Sequence, residues 1–345
     1  MKNLLKLLSP FAPDQSGAVA VLYELGGLIV ICDAGGCAGN VCGFDEPRWF
    51  EKKSAVFSAG LRDMDAILGR DDKLVEKMYD AVLKTDVKFT SVIGTPVPAV
   101  IATDYKAVKR MAEKKCEMPC IAIDTTGTNH YDYGEQKAFY ELFRTFSTEK
   151  FDVEKGKIGV IGATPLEISE TKSDNLKKAI GENAVCYTMG TTLEDVKKAS
   201  SAEKNIVISN SGIKAAEYLK GKFGTPYEIS FPYIPKNVLD SLENLDGKKV
   251  LCIHQQVAAN SLREKILERF DCDCTVGSWF MMNDKLKKKN DLFFADEEKF
   301  VETVEKGEYD VIIGDKLLKR TLKDFKGEYI DFLHFAVSGR LEGKM

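Results

Sequence analysis

Three cysteines on a glycine-rich segment are the residues of this chain best suited to chemistry. Cys32, Cys37 and Cys42 are spaced C-x4-C-x4-C in the run ICDAGGCAGNVCG. Thiolates are the ligands that iron–sulfur clusters and zinc prefer. Gly36, directly before the second cysteine, lets the backbone approach such a centre closely. The segment therefore predicts a site for a soft metal centre, and the alternative is a glycine-rich turn whose cysteines are incidental and buried.

An apolar run directly before these cysteines positions them. Residues 27–31 read GLIVI, which is typical of a buried parallel strand. Glycine-rich sequence after a strand favours a flexible loop. We therefore expect Cys37 and Cys42 to lie on such a loop. Cys32 is expected at the strand end, where an inert buried thiol is an equal alternative to a ligand.

A second polar loop follows a later apolar run. Residues 125–133 supply hydroxyls, two phenols and His130. Ligands collect at the carboxyl ends of strands in open α/β sheets. His130 is therefore a candidate proton donor or metal ligand, and an ordinary loop histidine is the alternative. His254, after another apolar run, is a weaker candidate of the same kind.

Composition argues against several classes of protein. The chain has 345 residues, with 49 basic and 53 acidic side chains and a net charge of −4. Without a concentrated basic face, no nucleic-acid partner is expected. No window reaches the ~20 apolar residues that span a bilayer, so no membrane partner is expected. The N-terminus lacks a signal-peptide pattern, which favours a cytoplasmic protein. There, the nine cysteines favour metal or redox chemistry over disulfides.

Alternating strand-like and helix-like runs predict the fold, because they are typical of parallel α/β layers. The runs expected to form strands span residues 28–32, 89–94, 120–124, 156–162, 184–189, 205–209, 247–253, 272–276 and 310–314. We expect three Rossmann-like α/β domains, each with a mainly parallel sheet flanked by helices, around a central cleft. Their predicted bounds are 1–150, 151–243 and 244–345.

The glycine motifs that usually bind nucleotides in such folds are missing from the sequence. It contains neither a G-x-x-x-x-G-K-[ST] phosphate loop nor a G-x-G-x-x-G dinucleotide fingerprint. Each of these motifs cradles phosphate groups on backbone N–H groups. We therefore do not expect the chain to hydrolyse ATP or to hold NAD in the usual manner.

Several short segments in the first 150 residues suggest a family. They read SPFAPDQSGA at 9–18, GGC at 35–37, RWF at 48–50, SAGL at 58–61, VIGTP at 92–96 and PCIAIDTTGT at 119–128. With these segments and the three-domain order, the chain resembles the nitrogenase component 1 superfamily. That group includes nitrogenase subunits, cofactor-assembly scaffolds, dark-operative protochlorophyllide reductase and nickel-sirohydrochlorin reductive cyclase.

The resemblance implies a [4Fe–4S] cluster held at the joint between two paired chains. The family's ligand positions fall here on Asp14, Cys37 and Pro96, and proline cannot be a ligand. Cys42 and Cys32 are the possible replacements for the missing thiolate. If the chain forms a homodimer, two thiolates from each copy would complete the cluster on the twofold axis. We prefer Cys37 with Cys42, because both follow the strand on the flexible loop.

The resemblance also implies a function. A reductase of the ATP-dependent iron-protein type would supply electrons, and the chain would reduce a tetrapyrrole or metallocofactor-type substrate. Its partner chain would be a second copy or a paralogous component 1 chain. The alternative is a non-catalytic carrier or assembly scaffold for a metallocluster or cofactor, because such a protein would use the same cysteine segment.

Overall fold

Three parallel β-sheets form the framework of the chain in the computed structural model, which describes residues 5–343. The strands of the first sheet are β1 (Gly27–Ile31), β2 (Ala55–Ser58), β3 (Phe89–Ile93) and β4 (Cys120–Ile123). Those of the second are β5 (Glu154–Ile161), β6 (Ala184–Cys186), β7 (Ala202–Val207) and β8 (Tyr227–Ile229). Those of the third are β9 (Lys249–Ile253), β10 (Asp273–Ser278), β11 (Leu292–Phe293), β12 (Val311–Gly314) and β13 (Glu328–Asp331).

Helices connect these strands, as parallel pairing requires. In the first sheet's part of the chain they are α1 (Asp14–Leu22), α2 (Gly36–Asn40), α3 (Asp63–Leu68), α4 (Asp71–Val82), α5 (Pro96–Val100), α6 (Tyr105–Cys116) and α7 (Tyr131–Phe146). The later helices are α8 (Pro165–Ile168), α9 (Asp174–Ile180), α10 (Leu193–Lys197), α11 (Ile213–Phe223), α12 (Lys236–Asp240), α13 (Gln256–Leu267), α14 (Glu297–Gly307) and α15 (Phe335–Ser338).

The strand orders follow one plan. They are β2-β1-β3-β4, β6-β5-β7-β8 and β11-β10-β9-β12-β13. In each sheet the first strand therefore lies inside, with the next strand on one side and a later strand on the other. When its strands are numbered within their own unit, the third sheet has the order 3-2-1-4-5. This is the order of the first five strands of a Rossmann sheet. The predicted fold class is confirmed, whereas the predicted domain bounds stay a prediction.

The cysteine segment differs from the predicted flexible loop. Residues Gly36–Asn40 form α2, and Val41–Asp45 continue it as a π-helical turn. Gly35, with φ of 127°, turns the chain into this helix. The Asp33 carboxylate then accepts a hydrogen bond of 2.8 Å from the Ala38 amide. Helical turns are thus formed despite the glycines, and π-helical turns occur frequently at functional sites.

A buried arginine joins the first unit to the second. The Arg48 guanidinium pairs with the Glu46 carboxylate at 2.6 Å. It also donates hydrogen bonds to the carbonyl oxygens of Ala20, at 2.7 Å, and Thr188, at 3.0 Å. A buried charge of this kind is tolerated only when it is paired and hydrogen-bonded. Arg48, predicted as part of a family segment, therefore holds α1 against the second sheet's part of the chain.

Helix α1 is the centre of the first unit. All of its residues are buried, including the polar Asp14, Gln15 and Ser16 of its first turn. It crosses α7 so closely that a Cβ atom on Gly17 would lie 2.0 Å from the Tyr131 carbonyl oxygen. A Cβ atom on Gly134 would lie 1.7 Å from the Asp14 carbonyl oxygen. Only glycine permits this backbone contact at either position.

Within residues 5–343, none of the helices combines the length and the apolar character that crossing a bilayer demands. The longest, α7, has 16 residues and carries charged side chains. A spanning helix needs about 20 predominantly apolar residues.

The helix contact predicts opposite effects for two glycine substitutions. Gly134→Ala places a methyl group against backbone and should lower the free energy of unfolding by about 1–3 kcal/mol or more. Gly221→Ala, on the exposed side of α11 where nothing lies within 4 Å, should raise it by roughly 0.5–1 kcal/mol. Urea denaturation of both variants measures the difference. Equal stability of the two would contradict the close crossing.

Candidate functional site

The two cysteines preferred as ligands are both half-buried. Cys37 lies in α2 and Cys42 in the π-helical turn that follows. Burial raises the pKa of both thiols, with smaller contributions from Asp33 at Cys37 and Glu46 at Cys42. A thiolate ligand must be deprotonated, so binding of a metal here would release protons.

Free space surrounds the glycines beside these cysteines. Gly36, Gly39 and Gly43 lie in helical turns. Apart from their chain neighbours and the backbone of their own helix, no heavy atom of residues 5–343 lies within 4 Å of a Cβ built on any of them. Glycine destabilises a helix by roughly 0.5–1 kcal/mol relative to alanine. Within the described chain there is room for a side chain at these positions, so packing does not require glycine there. The three glycines leave the backbone accessible to a molecule from outside the chain.

Large apolar side chains are exposed near the same segment. Phe44 and Phe50 are 73% and 75% exposed, and Val100 on α5 is 85% exposed. Helix α5 is adjacent, because the Thr95 hydroxyl directly before it interacts with the Cys37 thiol. Exposed apolar patches of this kind mark interaction surfaces when they are contiguous.

Cys32 has the environment of a core residue. It is 2% exposed and packs among Leu28, Val30 and Leu74. Burial raises the pKa of its thiol to about 12, with further contributions from Asp71 and Asp33. A thiol this strongly held in the protonated form is inert. The geometry favours the second of the two interpretations given for Cys32, the inert buried thiol.

Asp14 is a hydrogen-bond acceptor inside the molecule. It is 1% exposed, and its carboxylate accepts hydrogen bonds from the Gly127 amide at 2.7 Å and the Thr126 amide at 3.0 Å. The Asn129 side chain donates a third, at 3.3 Å. The carboxylate thus orders the loop after β4. This gives Asp14 a structural role and leaves its predicted cluster ligation without geometric support.

The remaining predicted positions lie around the same loop. Pro96 begins α5 and is packed against Gly127, where a Cβ atom would lie 2.5 Å from the proline Cδ. Gly127 has φ of 74°, which glycine adopts without strain. The family's three ligand positions are therefore brought to one region, with Cys37 as the half-buried thiol among them.

His130 belongs to an aromatic cluster rather than to the cysteine segment. It precedes α7, and its ring contacts Phe11 and Phe280 at centroid distances of 5.7 and 5.5 Å. Burial lowers the pKa of His130, so the imidazole is neutral near pH 7. Its predicted catalytic role stays a prediction.

The donor set fits half of a cluster. Among residues 5–343, no group of three or more histidine, cysteine or acidic side chains is arranged to hold a metal ion. A [4Fe–4S] cluster takes four thiolate ligands, and the cysteine segment offers two half-buried ones. Two thiols fall short of four ligands, so a cluster at this segment would need further ligands from a second chain.

Elsewhere, the strand ends of the second and third sheets meet the start of α7 in a buried polar junction. The carboxylate of Glu135, which is 0% exposed, accepts hydrogen bonds from the Thr164 hydroxyl at 2.5 Å and the Ser211 hydroxyl at 2.8 Å. Burial raises the pKa of Glu135 to about 8. Burial also raises the pKa of Glu167, and the Glu135 charge adds to this shift.

Two stacked histidines complete this junction. The rings of His254 and His334 are parallel at a centroid distance of 4.0 Å. His334 Nε2 lies 3.0 Å from the Tyr131 hydroxyl. Burial lowers the pKa of His254 to about 4 and that of His334 further below its usual range. Both imidazoles are therefore neutral, and His254 packs in the core rather than facing a ligand.

Sequence reasoning did not find Glu135, although a signal was present. Tyr131, Glu135, Ala138 and Leu142 follow the helical spacing of one buried face of α7. A glutamate within an apolar stripe indicates a buried carboxyl group with partners. Asp45 was also missed, and no sequence signal distinguishes it. Its carboxylate accepts a hydrogen bond of 2.6 Å from the Ser16 hydroxyl, and burial raises its pKa.

Comparison with known proteins identifies relatives of the chain. The family model described as nitrogenase component 1 type oxidoreductase matches residues 15–271. The nitrogenase iron-molybdenum cofactor biosynthesis protein NifE of Clostridium pasteurianum is 27% identical over 179 residues. That match covers 51% of this chain and 39% of NifE. The chain therefore aligns with well under half of the length of this relative.

Solved structures show the same fold. The structure of nitrogenase Cp1 at pH 6.5 has a TM-score of 0.73 and 14% identity, covering 96% of this chain and 87% of that one. The structure of nitrogenase Cp1 at pH 5 has a TM-score of 0.71 and 15% identity, covering 99% and 86%. At such low identity, these likenesses extend to the fold alone.

The geometry predicts that Asp14 acts on stability rather than on metal content. Asp14→Ala leaves buried amides without an acceptor and should lower the free energy of unfolding by about 1–3 kcal/mol. Asp124→Ala, at a side chain that is 68% exposed, should change it by less than about 1 kcal/mol. Denaturation of metal-free protein measures both. Unchanged stability of Asp14→Ala together with loss of bound iron would assign Asp14 as a ligand.

The buried carboxyl groups predict a pH dependence of stability. Folding holds a proton on Glu135 up to about pH 8, whereas an ordinary glutamate releases it near 4.5. The free energy of unfolding should therefore fall as pH rises between these values, by at most about 1.4 kcal/mol per pH unit for one proton. Glu135→Gln should make this fall less steep, because the group no longer titrates.

Urea denaturation from pH 5 to pH 8 measures this slope. Glu76→Gln, at an exposed position of α4, is the matched control and should keep the wild-type slope. Other buried carboxyl groups whose pKa values burial raises, among them Asp132 and Glu167, account for the decline that remains in Glu135→Gln. Identical slopes in wild type and Glu135→Gln would show that Glu135 is ionised in the folded protein.

Proposed function

Because the chain belongs to the nitrogenase component 1 type oxidoreductase family, as its N-terminal segments predict, we propose that it is an electron-accepting subunit with a cysteine-bound iron–sulfur cluster. Proteins of this family usually bind metal clusters. The observation that carries the proposal is the pair of half-buried thiols, Cys37 and Cys42, beside open space at Gly36 and Gly39.

The cluster is a [4Fe–4S] centre shared across a dimer. Two thiolates from each of two chains satisfy its four ligand positions, and one chain offers no larger set among its described residues. The exposed Phe44 and Val100 supply apolar surface for the partner chain. The partner is a second copy of this chain or a paralogous component 1 chain.

The surrounding residues prepare the segment for this ligation. The Thr95 hydroxyl interacts with the Cys37 thiol, and the Asp33 carboxylate fixes the first turn of α2 through the Ala38 amide. When bound, an iron–sulfur centre accepts and stores single electrons at a potential set by burial and by hydrogen bonds to sulfur. A partner reductase of the ATP-dependent iron-protein type supplies those electrons, and a tetrapyrrole or metallocofactor-type molecule is the substrate.

A second candidate function is a carrier or scaffold for a metallocluster or cofactor. The similarity to NifE, a cofactor biosynthesis protein, favours it. Such a protein would bind the cluster through the same cysteines and would transfer it instead of passing electrons onward. The two functions differ in what happens to the iron after reduction.

Iron and acid-labile sulfide content of anaerobically purified protein tests the proposal. We expect about four irons per pair of chains, with loss of most of this iron in Cys37→Ala and in Cys42→Ala. Cys32→Ala is the control, because that thiol is 2% exposed in the core, and it should retain its iron. Electron paramagnetic resonance after dithionite treatment reports whether the bound centre accepts an electron.

Two outcomes would overturn the model. Iron-free protein from a host with intact cluster assembly would exclude a cluster shared between two copies. Full iron content in both Cys37→Ala and Cys42→Ala would move the ligands elsewhere. Transfer of the iron and sulfide to a metal-free acceptor protein, without reduction of a substrate, would favour the carrier function.

A further inference from the structure

A buried carboxylate connects the cysteine-bearing helix α2 to a neighbouring strand. Asp33 lies between β1 and α2 and is 2% exposed. Its Oδ2 atom accepts a hydrogen bond of 2.8 Å from the Ala38 amide, and its Oδ1 atom accepts one of 2.6 Å from the Ser58 hydroxyl. Ser58 is the last residue of β2. One side chain thus joins the first turn of α2 to the end of β2.

The backbone of Asp33 strengthens the same connection. Its carbonyl oxygen accepts a hydrogen bond of 2.8 Å from the Leu61 amide. The Ser58 hydroxyl, which donates to the carboxylate, accepts a hydrogen bond of 3.0 Å from the Gly60 amide. The loop after β2 is therefore held to Asp33 through both its backbone and a side chain, so the carboxylate has a fixed position.

Helix α2 has little stability of its own. It is five residues long and contains Gly36 and Gly39, and its N-cap, Gly35, offers no side-chain hydrogen bond. So short a helix is unstable in isolation, because its nucleation is unfavourable, and glycine destabilises it further. The acceptor that a capping side chain would supply comes from Asp33 instead.

A second anchor lies on the opposite side of β1. The Thr95 hydroxyl, after β3, donates a hydrogen bond of 2.7 Å to the Cys32 carbonyl oxygen. Strand β1 lies between β2 and β3 in the sheet, so the chain that leaves β1 is fastened on both sides. Thr95 fastens the strand end, whereas Asp33 fastens the helix that carries Cys37.

The charge of Asp33 also acts on the cysteines. Among residues 5–343, no lysine or arginine lies within ion-pair distance of its carboxylate. Burial raises the pKa of the Cys37 thiol, and the Asp33 charge raises it further. A negative charge that opposes a thiolate also opposes the addition of an electron to a centre bound there, because both changes make the site more negative.

We propose that Asp33 is the positioning residue of the cysteine segment. It fixes α2 so that Cys37 is held ready to ligate, and its charge lowers the reduction potential of the bound centre. The role of the charge rests on the proposed function, whereas the positioning role concerns the chain alone and is testable without metal.

Hydrogen–deuterium exchange of metal-free protein, followed on peptides that cover residues 34–45, tests the positioning role. Asp33→Ala should speed exchange of this segment by about tenfold or more, because a charge-assisted hydrogen bond is lost. Asp33→Asn should restore slow exchange, since the amide oxygen still accepts from Ala38 and the amide nitrogen can donate to Ser58. Asp63→Asn, at an exposed position of α3, is the matched control for the lost charge and should exchange like wild type.

Ser58→Ala provides a milder variant that keeps the Ala38 contact. It removes one of the two partners of the carboxylate at an exposed position, so it should fold like wild type. Exchange of residues 34–45 should rise by roughly threefold, less than in Asp33→Ala. Wild-type exchange in both Asp33→Ala and Ser58→Ala would overturn the positioning role.

Iron content and the midpoint potential, measured by a redox titration followed by electron paramagnetic resonance, test the role of the charge. Asp33→Ala should lose iron, whereas Asp33→Asn should keep it with a potential shifted to more positive values. Asp63→Asn should leave both unchanged. An unchanged potential in Asp33→Asn would overturn the role of the charge. Loss of iron from Asp33→Asn at wild-type exchange would make Asp33 a ligand and overturn the positioning role.

The two measurements separate this inference from the proposed function. Iron-free wild-type protein would overturn the cluster and, with it, the role of the charge. Exchange in metal-free protein would still decide the positioning role. Bound iron together with unaltered exchange in Asp33→Ala would leave the cluster in place and remove the positioning role.

Discussion

The backbone contact between α1 and α7 is the constraint on which the rest of the structure depends. Gly17 and Gly134 allow each helix to touch the carbonyl groups of the other. At one end of α1, this contact brings the Asp14 carboxylate to the amides of the loop after β4. At the start of α7, it sets Glu135 against the strand ends of the second sheet. One helix pair thus positions both polar regions of the molecule.

These polar regions have different physical characters. The strand-end junction is buried, and this burial raises the pKa values of Glu135 and Glu167 and lowers that of His254. In such a place the neutral form of a titratable group has a lower free energy than its charged form, because burial deprives the ion of its hydration. The cysteine segment lies at the surface beside exposed aromatic rings. Chemistry that requires access is therefore expected at the segment and not at the junction.

The cysteine segment contains glycines in helical turns that no packing contact among residues 5–343 requires. Glycines in helical turns lower stability, and here no neighbouring atom requires them. The partner chain that we propose would account for Gly36, Gly39 and Gly43 together, because it would approach the backbone closely. It would also cover Phe44 and bring a second pair of thiols to Cys37 and Cys42.

The sequence by itself determined the parallel α/β architecture, the family and the position of the cysteine segment. Strand periodicity and short motifs depend only on residues that are close together in the sequence. Only the tertiary structure decided that Cys32 is a core thiol, that Asp14 orders a loop, and that the cysteines lie on helical turns. It alone brought Arg320 and Gly43 to the lining of one cavity. Contacts between residues far apart in the chain set burial and free charge, and no local pattern encodes them.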